Sequence, residues 1–387
     1  MNNTEVLLIE ILSAFVNGRK PEITTEYNAT ELYELAKAQS VSGIAGYVLN
    51  KYGFTEFAKA DKRYADIYDK IITQLIRKDF YAQNLFAKLG EAQIPHIIFK
   101  GMVVKDCYPV AELRTFGDID IIIPKDSREK SHKLMCDSGY SWEFMDGGEV
   151  YAYKKDKEHY EFHTTLNSEK TKLSECMNRF WDYTRPRNGF TYEFTDEFHL
   201  SYLISHIEKH FYGAGAGVRM YLDIALFLNK HKETLNIEKV REILRGCDLE
   251  KFFDSTLFVC HKWFGTEVMP KEEMSPELYE GFCRYTLQGG VFGNQEEESR
   301  IRQAVSKNGK SGKLALMLSR IFPPYREVRR LYPFFHEKPW LLPAGWVVHW
   351  FKAGKRSGLK NIKQIAKSNV KKAQSEQEFF DQIGSRR

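Results

Sequence analysis

The chain of 387 residues is long enough for one large or two medium-sized domains. Hydrophobic residues make up 43% of it and charged residues 28%, which is typical of soluble globular proteins with a sizeable core. The net charge of +5 is too small to indicate nucleic acid binding by itself.

The six cysteines are scattered along the chain and exclude two kinds of site. They form no C-x-x-C pair, so neither a zinc ribbon nor a redox motif is indicated. The N-terminal segment lacks the basic start of a signal peptide, and no apolar run is long enough to span a bilayer. These observations predict reduced thiols and a cytoplasmic protein.

The first 90 residues are predicted to be helical. Apolar residues recur at helical spacing from Thr4 to about Phe15. Either Asn28 or Thr30 is the candidate cap of a second helix, and Ser42 is the candidate cap of a third. The proline-free stretch from Thr55 to about Leu89 is predicted to form one long helix that leads into the first strand.

Two predicted strands, joined by a short helix and a loop, carry the most informative pattern. The first strand, His96–Lys100, ends at Gly101, and the second, Asp118–Ile123, begins with two aspartates one residue apart. Because strand side chains alternate, Asp118 and Asp120 share one face, and the isoleucines between and after them point into a core. Two neighbouring carboxylates repel each other, and a divalent cation such as Mg²⁺ removes that repulsion. The pair therefore predicts a metal site, with a solvent-exposed strand edge as the alternative.

Three further strands are predicted after this pair, and together they form an antiparallel meander in a mixed sheet. Their ranges are Tyr140–Met145, Glu149–Lys154 and His159–Thr165. In the third strand, Glu161 and His163 lie on one face, and Tyr160 and Phe162 lie on the other. Glu161 is the candidate third acid of the metal site, and a surface glutamate on an edge strand is the alternative.

These residues resemble the signature of the nucleotidyltransferase superfamily, whose fold is shared with DNA polymerase β. In that signature a strand ends in glycine, a short helix follows, and the next strand carries Asp-hydrophobic-Asp before a later third carboxylate. Lys100, Gly101 and the Asp-Ile-Asp segment match it, although Met102 stands where Gly or Ser is usual. The chain is more closely similar to a family of uncharacterised bacterial nucleotidyltransferases, in which Lys precedes the glycine and Arg precedes Asp-x-Asp. Lys100 and Arg114 hold those positions.

The resemblance implies transfer of a nucleoside monophosphate from an NTP such as ATP to an acceptor hydroxyl or phosphate, with release of pyrophosphate. It implies that Asp118, Asp120 and Glu161 are catalytic and hold two Mg²⁺ or Mn²⁺ ions, with Glu161 also deprotonating the acceptor. The acceptor is left open between a small molecule, such as an aminoglycoside or a sugar phosphate, and a macromolecule, such as a protein or a tRNA end.

The resemblance also assigns residues to the nucleotide. The backbone amides of Gly101 and Met102 would receive the triphosphate at the start of a helix, and Lys100 and Arg114 would add positive charge there. The closer family has an acid, a hydrophobic residue and a histidine at the corresponding strand, which selects Glu161 over Glu158 as the third acid. His163 would orient Glu161 or the acceptor.

From Asp196 onward the pattern is helical. His206 and His210 share one helix face, but they lack the H-E-x-x-H order and a third ligand, so a structural or substrate-facing role is favoured over zinc. Arg219 and Asp223 lie on the next helix, and the resemblance to the closer family implies that this pair of helices lines the active-site cleft. Arg219 either contacts a phosphate or pairs with Asp223 at i+4, and both remain open.

The C-terminal segment combines aromatic residues and prolines with a basic stretch. Lys352–Lys372 contains eight basic residues and no acid. One interpretation is contact with nucleic acid or with an anionic membrane surface, the latter placing the protein at the inner face of the membrane. The favoured interpretation is a solvated helix whose aromatic neighbours pack on the domain.

The predicted fold class is α+β, with a nucleotidyltransferase-like mixed β-sheet core, N-terminal helices and a helical C-terminal domain. The predicted parts are an N-terminal helical region 1–90, a catalytic core 91–194, a helical domain 195–335 and an aromatic and basic tail 336–387. Two alternatives to an enzyme are a non-catalytic nucleotide-binding module and a membrane-surface partner protein of polysaccharide assembly. The three retained acids favour the enzyme.

Overall fold

A computed structural model shows the architecture of the chain as two compact units. The first consists of residues 1–211 and 215–292, and the second of residues 212–214 and 293–387. The residues that the structure describes are 1–23, 27–145, 150–167, 171–213, 215–289, 318–319, 321–325, 327–328, 332–335, 339–355 and 370–385. The finer four-part division stays a prediction.

Five helices form the N-terminal region. They are α1 Asn3–Asn17, α2 Ala29–Ala38, α3 Ser42–Lys51, α4 Thr55–Ala60 and α5 Arg63–Glu91. Of the two candidate caps for α2, the structure selects Asn28, whose side chain accepts hydrogen bonds from the amides of Thr30 and Glu31. Ser42 is the first residue of α3, and Val41 precedes it as the cap residue.

The prediction of one continuous helix from Thr55 to Leu89 is wrong, because the chain leaves the helix at Asp61. Asp61 has extended backbone angles (φ −142°, ψ 106°), and its carboxylate accepts hydrogen bonds from the amide and the guanidinium of Arg63. Such local side-chain bonds compete with helical ones and start a new helix at α5. The apolar spacing continues across this break, so the spacing alone does not show that the helix is interrupted.

A seven-stranded mixed sheet forms the centre of the first unit and confirms the predicted α+β class. The strands are β1 His96–Ile98, β2 Ile119–Ile122, β3 Ser141–Met145, β4 Val150–Lys155, β5 Glu158–His163, β6 Thr184–Asn188 and β7 Thr191–Phe194. Their spatial order is β3-β4-β5-β2-β1-β7-β6. The meander β3–β4–β5 is antiparallel, as predicted. β2 lies between β1, with which it is antiparallel, and β5, with which it is parallel.

The two faces of β2 and β5 differ as the alternation of side chains predicts. Ile119, Ile121, Tyr160 and Phe162 are nearly fully buried and pack with apolar residues of α5 in one hydrophobic core. The residues that alternate with them point to the opposite face of the sheet. That face carries the candidate site.

The hairpin β6–β7 is absent from the predicted elements, although the sequence contains a signal for it. Its loop has two residues, and the first of them, Gly189, has φ +54°. Glycine at the first central position is typical of tight two-residue hairpin turns. β7 extends the sheet by pairing parallel with β1.

The first unit contains further helices, which occur between and after the strands along the chain. They are α6 Gly101–Val104, α7 Arg128–Asp137, α8 Lys172–Met177, α9 Asp196–Gly213, α10 Val218–Lys230, α11 Ile237–Gly246, α12 Glu250–Phe264 and α13 Pro276–Gly289. They confirm the helical pattern predicted from Asp196 onward. The described part of the second unit includes α14 Leu342–Lys355 and α15 Val370–Ile383. Most of the predicted basic stretch, residues 356–369, lies outside the described residues.

No helix within the described ranges has both the length and the apolar character that crossing a membrane requires. Cys176 on α8 and Cys247 after α11 are joined by a disulfide, with their Cα atoms 5.9 Å apart. The prediction of reduced thiols is therefore wrong for this pair. The two cysteines are 71 residues apart, and only the packing of α8 against α11 brings them together.

Candidate active site

The centre of the candidate site is a pair of carboxylates on neighbouring strands. β2 and β5 run parallel, and their register places Asp120 directly beside Glu161. Both side chains belong to the face opposite the isoleucine core, so they lie side by side. The predicted strand phase of Glu161 relative to Tyr160 and Phe162 is confirmed by this register.

His163 completes a cluster with the two acids. Its Nε2 lies 2.9 Å from Oδ1 of Asp120 and 3.6 Å from Oε2 of Glu161. One ligand atom from each of the three residues lies within 4.8 Å of the others, an arrangement that could hold a metal ion. The sequence interpretation gave His163 only an orienting role, whereas the geometry groups it with the candidate ligands.

Lys100 supplies the positive charge at Asp120. Its Nζ lies 2.6 Å from Oδ1 of Asp120, and both side chains are largely buried. Burial alone would raise the pKa of Asp120, but the charge of Lys100 and the hydrogen bond from His163 hold that pKa well below its usual range. Asp120 is therefore an ion-paired carboxylate in this structure. The sequence pattern indicated only a divalent cation as the partner of this charge, whereas Lys100 already pairs with it.

The backbone at Lys100 is strained in a way that serves this contact. Lys100 has φ +53° and ψ −132°, a combination that favours glycine, and it ends β1 earlier than predicted. Such a conformation costs about 1–3 kcal/mol and persists only where surrounding contacts impose it. The strained residue directs the ammonium group toward Asp120 and starts α6.

The two residues after Lys100 have different surroundings. A Cβ atom on Gly101 would lie 3.0 Å from Cβ of Phe116, so only glycine fits without a shift of that ring. The side chain of Met102 is buried in the hydrophobic core. Any contact of these two residues with a ligand would therefore come from their backbone, as predicted for triphosphate binding.

Asp118 and Glu161 are the acids without a close cation of their own among the described residues. Asp118 lies one residue before β2 and is half-buried. Burial, followed by the charges of Asp118 and Asp120, raises the pKa of Glu161 to about 7. The metal-free protein thus concentrates negative charge at one point, which agrees with the predicted grouping of the three acids.

Arg114, predicted to contact phosphate, forms a buried ion pair with a residue from α10. Its Nε and one terminal nitrogen donate to the two carboxylate oxygens of Asp223 at 2.8 and 2.7 Å. Its other terminal nitrogen donates to the carbonyl of Thr115, and the hydroxyl of Tyr108 donates to Asp223. These contacts use three of the five N–H donors of Arg114, and its phosphate-binding role stays a prediction.

Arg219 makes fewer hydrogen bonds than Arg114 among the described residues. Its one hydrogen bond among the described residues goes to the carbonyl of Thr115 (3.1 Å), while its buried Nε has no hydrogen-bond partner. Burial and the charge of Arg114 lower the pKa of Arg219 to about 10. Of the two alternatives from the sequence, the close i+4 pair with Asp223 is not formed within the described chain. A buried donor without a partner is instead suited to an anionic ligand.

A pocket of about 310 Å³ adjoins these groups, a volume at the lower end of the range for small-molecule sites. Charged residues form one side of it, and its other side comes from α9 and Met220 of α10. The charged residues are Lys100, Arg114, Asp118, Asp120, Arg219 and Asp223. Among the described residues, Glu161 and His163 do not line this pocket.

Lys78 is a positioning residue that the sequence did not reveal. From α5, its Nζ donates to the carbonyls of Phe116 and Gly117, the latter at 2.9 Å. These are the two residues before Asp118, so Lys78 holds the loop that presents this acid. Lys78 is about 40 residues earlier in the chain and lies within an ordinary helical pattern, so spacing gives no indication of the contact.

Comparison with known proteins agrees with this geometry. Searches of curated proteins and of solved structures found no match. A family model described as "uncharacterised nucleotidyltransferase" matches residues 25–265, which include the whole sheet, the carboxylate cluster and the pocket. This match spans more than half of the chain, and the chain therefore belongs to the uncharacterised nucleotidyltransferase family.

Proposed function

We propose that the protein transfers a nucleoside monophosphate from an NTP to a hydroxyl or phosphate acceptor and releases pyrophosphate. The observation that carries this proposal is the register of β2 and β5, which places Asp120 beside Glu161 with His163 and Asp118 around them. Family membership supports the reaction class. The acceptor is a small molecule or a macromolecule that contacts the Glu161 side of the cluster.

The residues present fit a divalent cation. Asp120, Glu161 and His163 offer two carboxylates and one imidazole within 4.8 Å, and the ammonium of Lys100 pairs with Asp120 alone of the three acids. Carboxylate oxygens suit Mg²⁺ and Mn²⁺, and an imidazole nitrogen is better tolerated by Mn²⁺. A bound cation would offset the developing charge on the reacting phosphate and on the leaving pyrophosphate.

The chain's own groups have distinct roles in the proposed reaction. Arg219 uses its unpaired Nε to bind a phosphate oxygen, and Lys100, which lines the same pocket, adds a second positive charge. Glu161 accepts the proton of the acceptor hydroxyl as the acceptor oxygen bonds to the α-phosphorus. The bond from that phosphorus to the bridging oxygen breaks, and its electron pair leaves with pyrophosphate.

Divalent metal together with an NTP is expected to raise the melting temperature. Ligand that binds only the folded state stabilises it by about 2.7 kcal/mol at a concentration one hundred times the dissociation constant. The measurement is a melting curve with Mn²⁺ or Mg²⁺, with an NTP, and with both. EDTA should abolish the shift, and Glu143→Gln, which changes an exposed acid on β3, should keep it. Identical melting curves with and without millimolar metal and NTP would contradict the proposal.

A further inference from the structure

The α9 side of the pocket is lined by apolar side chains and histidine rings. Leu203, His206, Ile207 and His210 follow one another at i, i+3, i+4 and i+7, so they form one stripe along the helix. All four line the pocket, together with Met220 of α10. This stripe offers apolar side chains and two rings and contains no acid, unlike the side formed by Lys100 and Arg219.

The ring of His206 packs against the rings of Tyr202 and His210. The centroids of Tyr202 and His206 lie 5.9 Å apart at an interplanar angle of 27°, and those of His206 and His210 lie 4.6 Å apart. Burial lowers the pKa of His206 well below its usual value, so its ring is neutral. No Cys, Asp, Glu or third His in the described ranges completes a metal group with these two histidines.

We propose that the stripe Leu203–His206–Ile207–His210 is the nucleobase subsite of this pocket, with the ring of His206 against the flat face of the base. The inference rests on the proposed function and adds the part of the substrate that the stripe recognises. An NTP has a polyanionic end and a flat heteroaromatic end, and the pocket has Lys100 and Arg219 on one side and the two histidine rings on the other. Ring stacking accepts any base, which agrees with the absence of a charged group on the stripe.

The test compares two ligands that differ in the base. Affinities of an NTP and of inorganic tripolyphosphate are measured by calorimetry with Mn²⁺ for the wild type, His206→Ala and His206→Phe. The ratio of the two affinities isolates the nucleoside part of the ligand. Stacking on one aromatic side chain contributes about 5- to 100-fold to affinity, so His206→Ala should lower the ratio by that factor. His206→Phe keeps a ring and should retain the ratio within about threefold.

Two controls separate the base from the phosphates and from the helix itself. Arg219→Gln should weaken both ligands to a similar extent and leave the ratio unchanged. Lys209→Ala, at an exposed position of the same helix, should change neither affinity. If His206→Ala does not fold, as judged by its melting curve, His210→Ala carries the same comparison.

The outcomes distinguish this inference from the proposed function. A ratio that falls in the alanine variant and is retained with phenylalanine supports the base subsite. An unchanged ratio in the alanine variant, with both ligands still bound, overturns the subsite and leaves the proposed function standing. A wild type that binds neither ligand in the presence of Mn²⁺ overturns both.

Discussion

Asp120→Asn is expected to abolish turnover and to destabilise the metal-free protein. Loss of a ligand of the proposed metal site should lower turnover by more than about a hundredfold, since even outer-shell partners of ligands contribute 10- to 100-fold. The substitution also leaves the buried ammonium of Lys100, now 2.6 Å from a carboxylate oxygen, beside a neutral amide. Removing one partner of a buried ion pair costs about 3–5 kcal/mol. Urea unfolding in EDTA measures the loss of stability, and an NTP turnover assay measures the loss of activity.

Two companion variants show whether Lys100 is the cause of the instability. Asp118→Asn removes a charge that repels Glu161, so the metal-free protein should be no less stable while turnover still falls. Adding Lys100→Met to Asp120→Asn removes the unpaired charge and should restore part of the lost stability without restoring turnover. An Asp120→Asn protein as stable as the wild type would show that the Lys100 contact contributes nothing to the folded state.

Glu161→Gln is expected to lose activity and to gain stability at high pH. Loss of a general base lowers turnover by about 10²- to 10⁴-fold. The folded-state pKa of Glu161 is about 7, against an ordinary value of 4.5. Between these values the unfolded chain releases its proton first, so stability falls as pH rises, and the full penalty remains above pH 7. Glutamine cannot ionise, so the variant avoids this penalty.

The measurement for Glu161 is the free energy of unfolding of the metal-free proteins at pH 5 and pH 8. The advantage of Glu161→Gln over the wild type should be small at pH 5 and largest at pH 8. Glu158→Gln is the matched control on the same strand, because Glu158 faces the opposite side and accepts hydrogen bonds from the hydroxyls of Tyr140 and Tyr160. If Glu158→Gln loses turnover and Glu161→Gln keeps it, the role assigned to the strand face is wrong.

Local periodicity predicted the parts of the site that depend on one strand at a time. The alternation around Asp120 and around Glu161 correctly separated core residues from site residues, because a strand has only two faces. Family resemblance then implied that the acids of the two strands would hold the same metal ions. The hairpin β6–β7 was also within reach of the sequence, through the glycine that its tight turn requires at position 189.

Local sequence patterns could not predict the contacts between distant segments of the chain. The pairs Arg114–Asp223 and Lys78–Gly117 are 109 and 39 residues apart, and neither has a local pattern. The strained backbone of Lys100, which brings its ammonium to Asp120, depends on the packed site and not on residue preference. These contacts determine which acids carry a charge partner in the metal-free protein, and they explain why Asp118 and Asp120 should respond differently to the same substitution.

Nucleotidyl transfer at the Asp120–Glu161 cluster can be tested by following which phosphate of the NTP reaches the product. The protein is incubated with Mn²⁺ or Mg²⁺, a cell extract as the source of acceptor, and an NTP labelled in either the α- or the γ-phosphate. Glu161→Gln in the same extract sets the background from other enzymes. We predict that the α-label enters a new product and the γ-label leaves as pyrophosphate, and that the variant yields neither above background. Transfer of the γ-label to a product, or equal transfer of the α-label by Glu161→Gln, would contradict nucleotidyl transfer at this cluster.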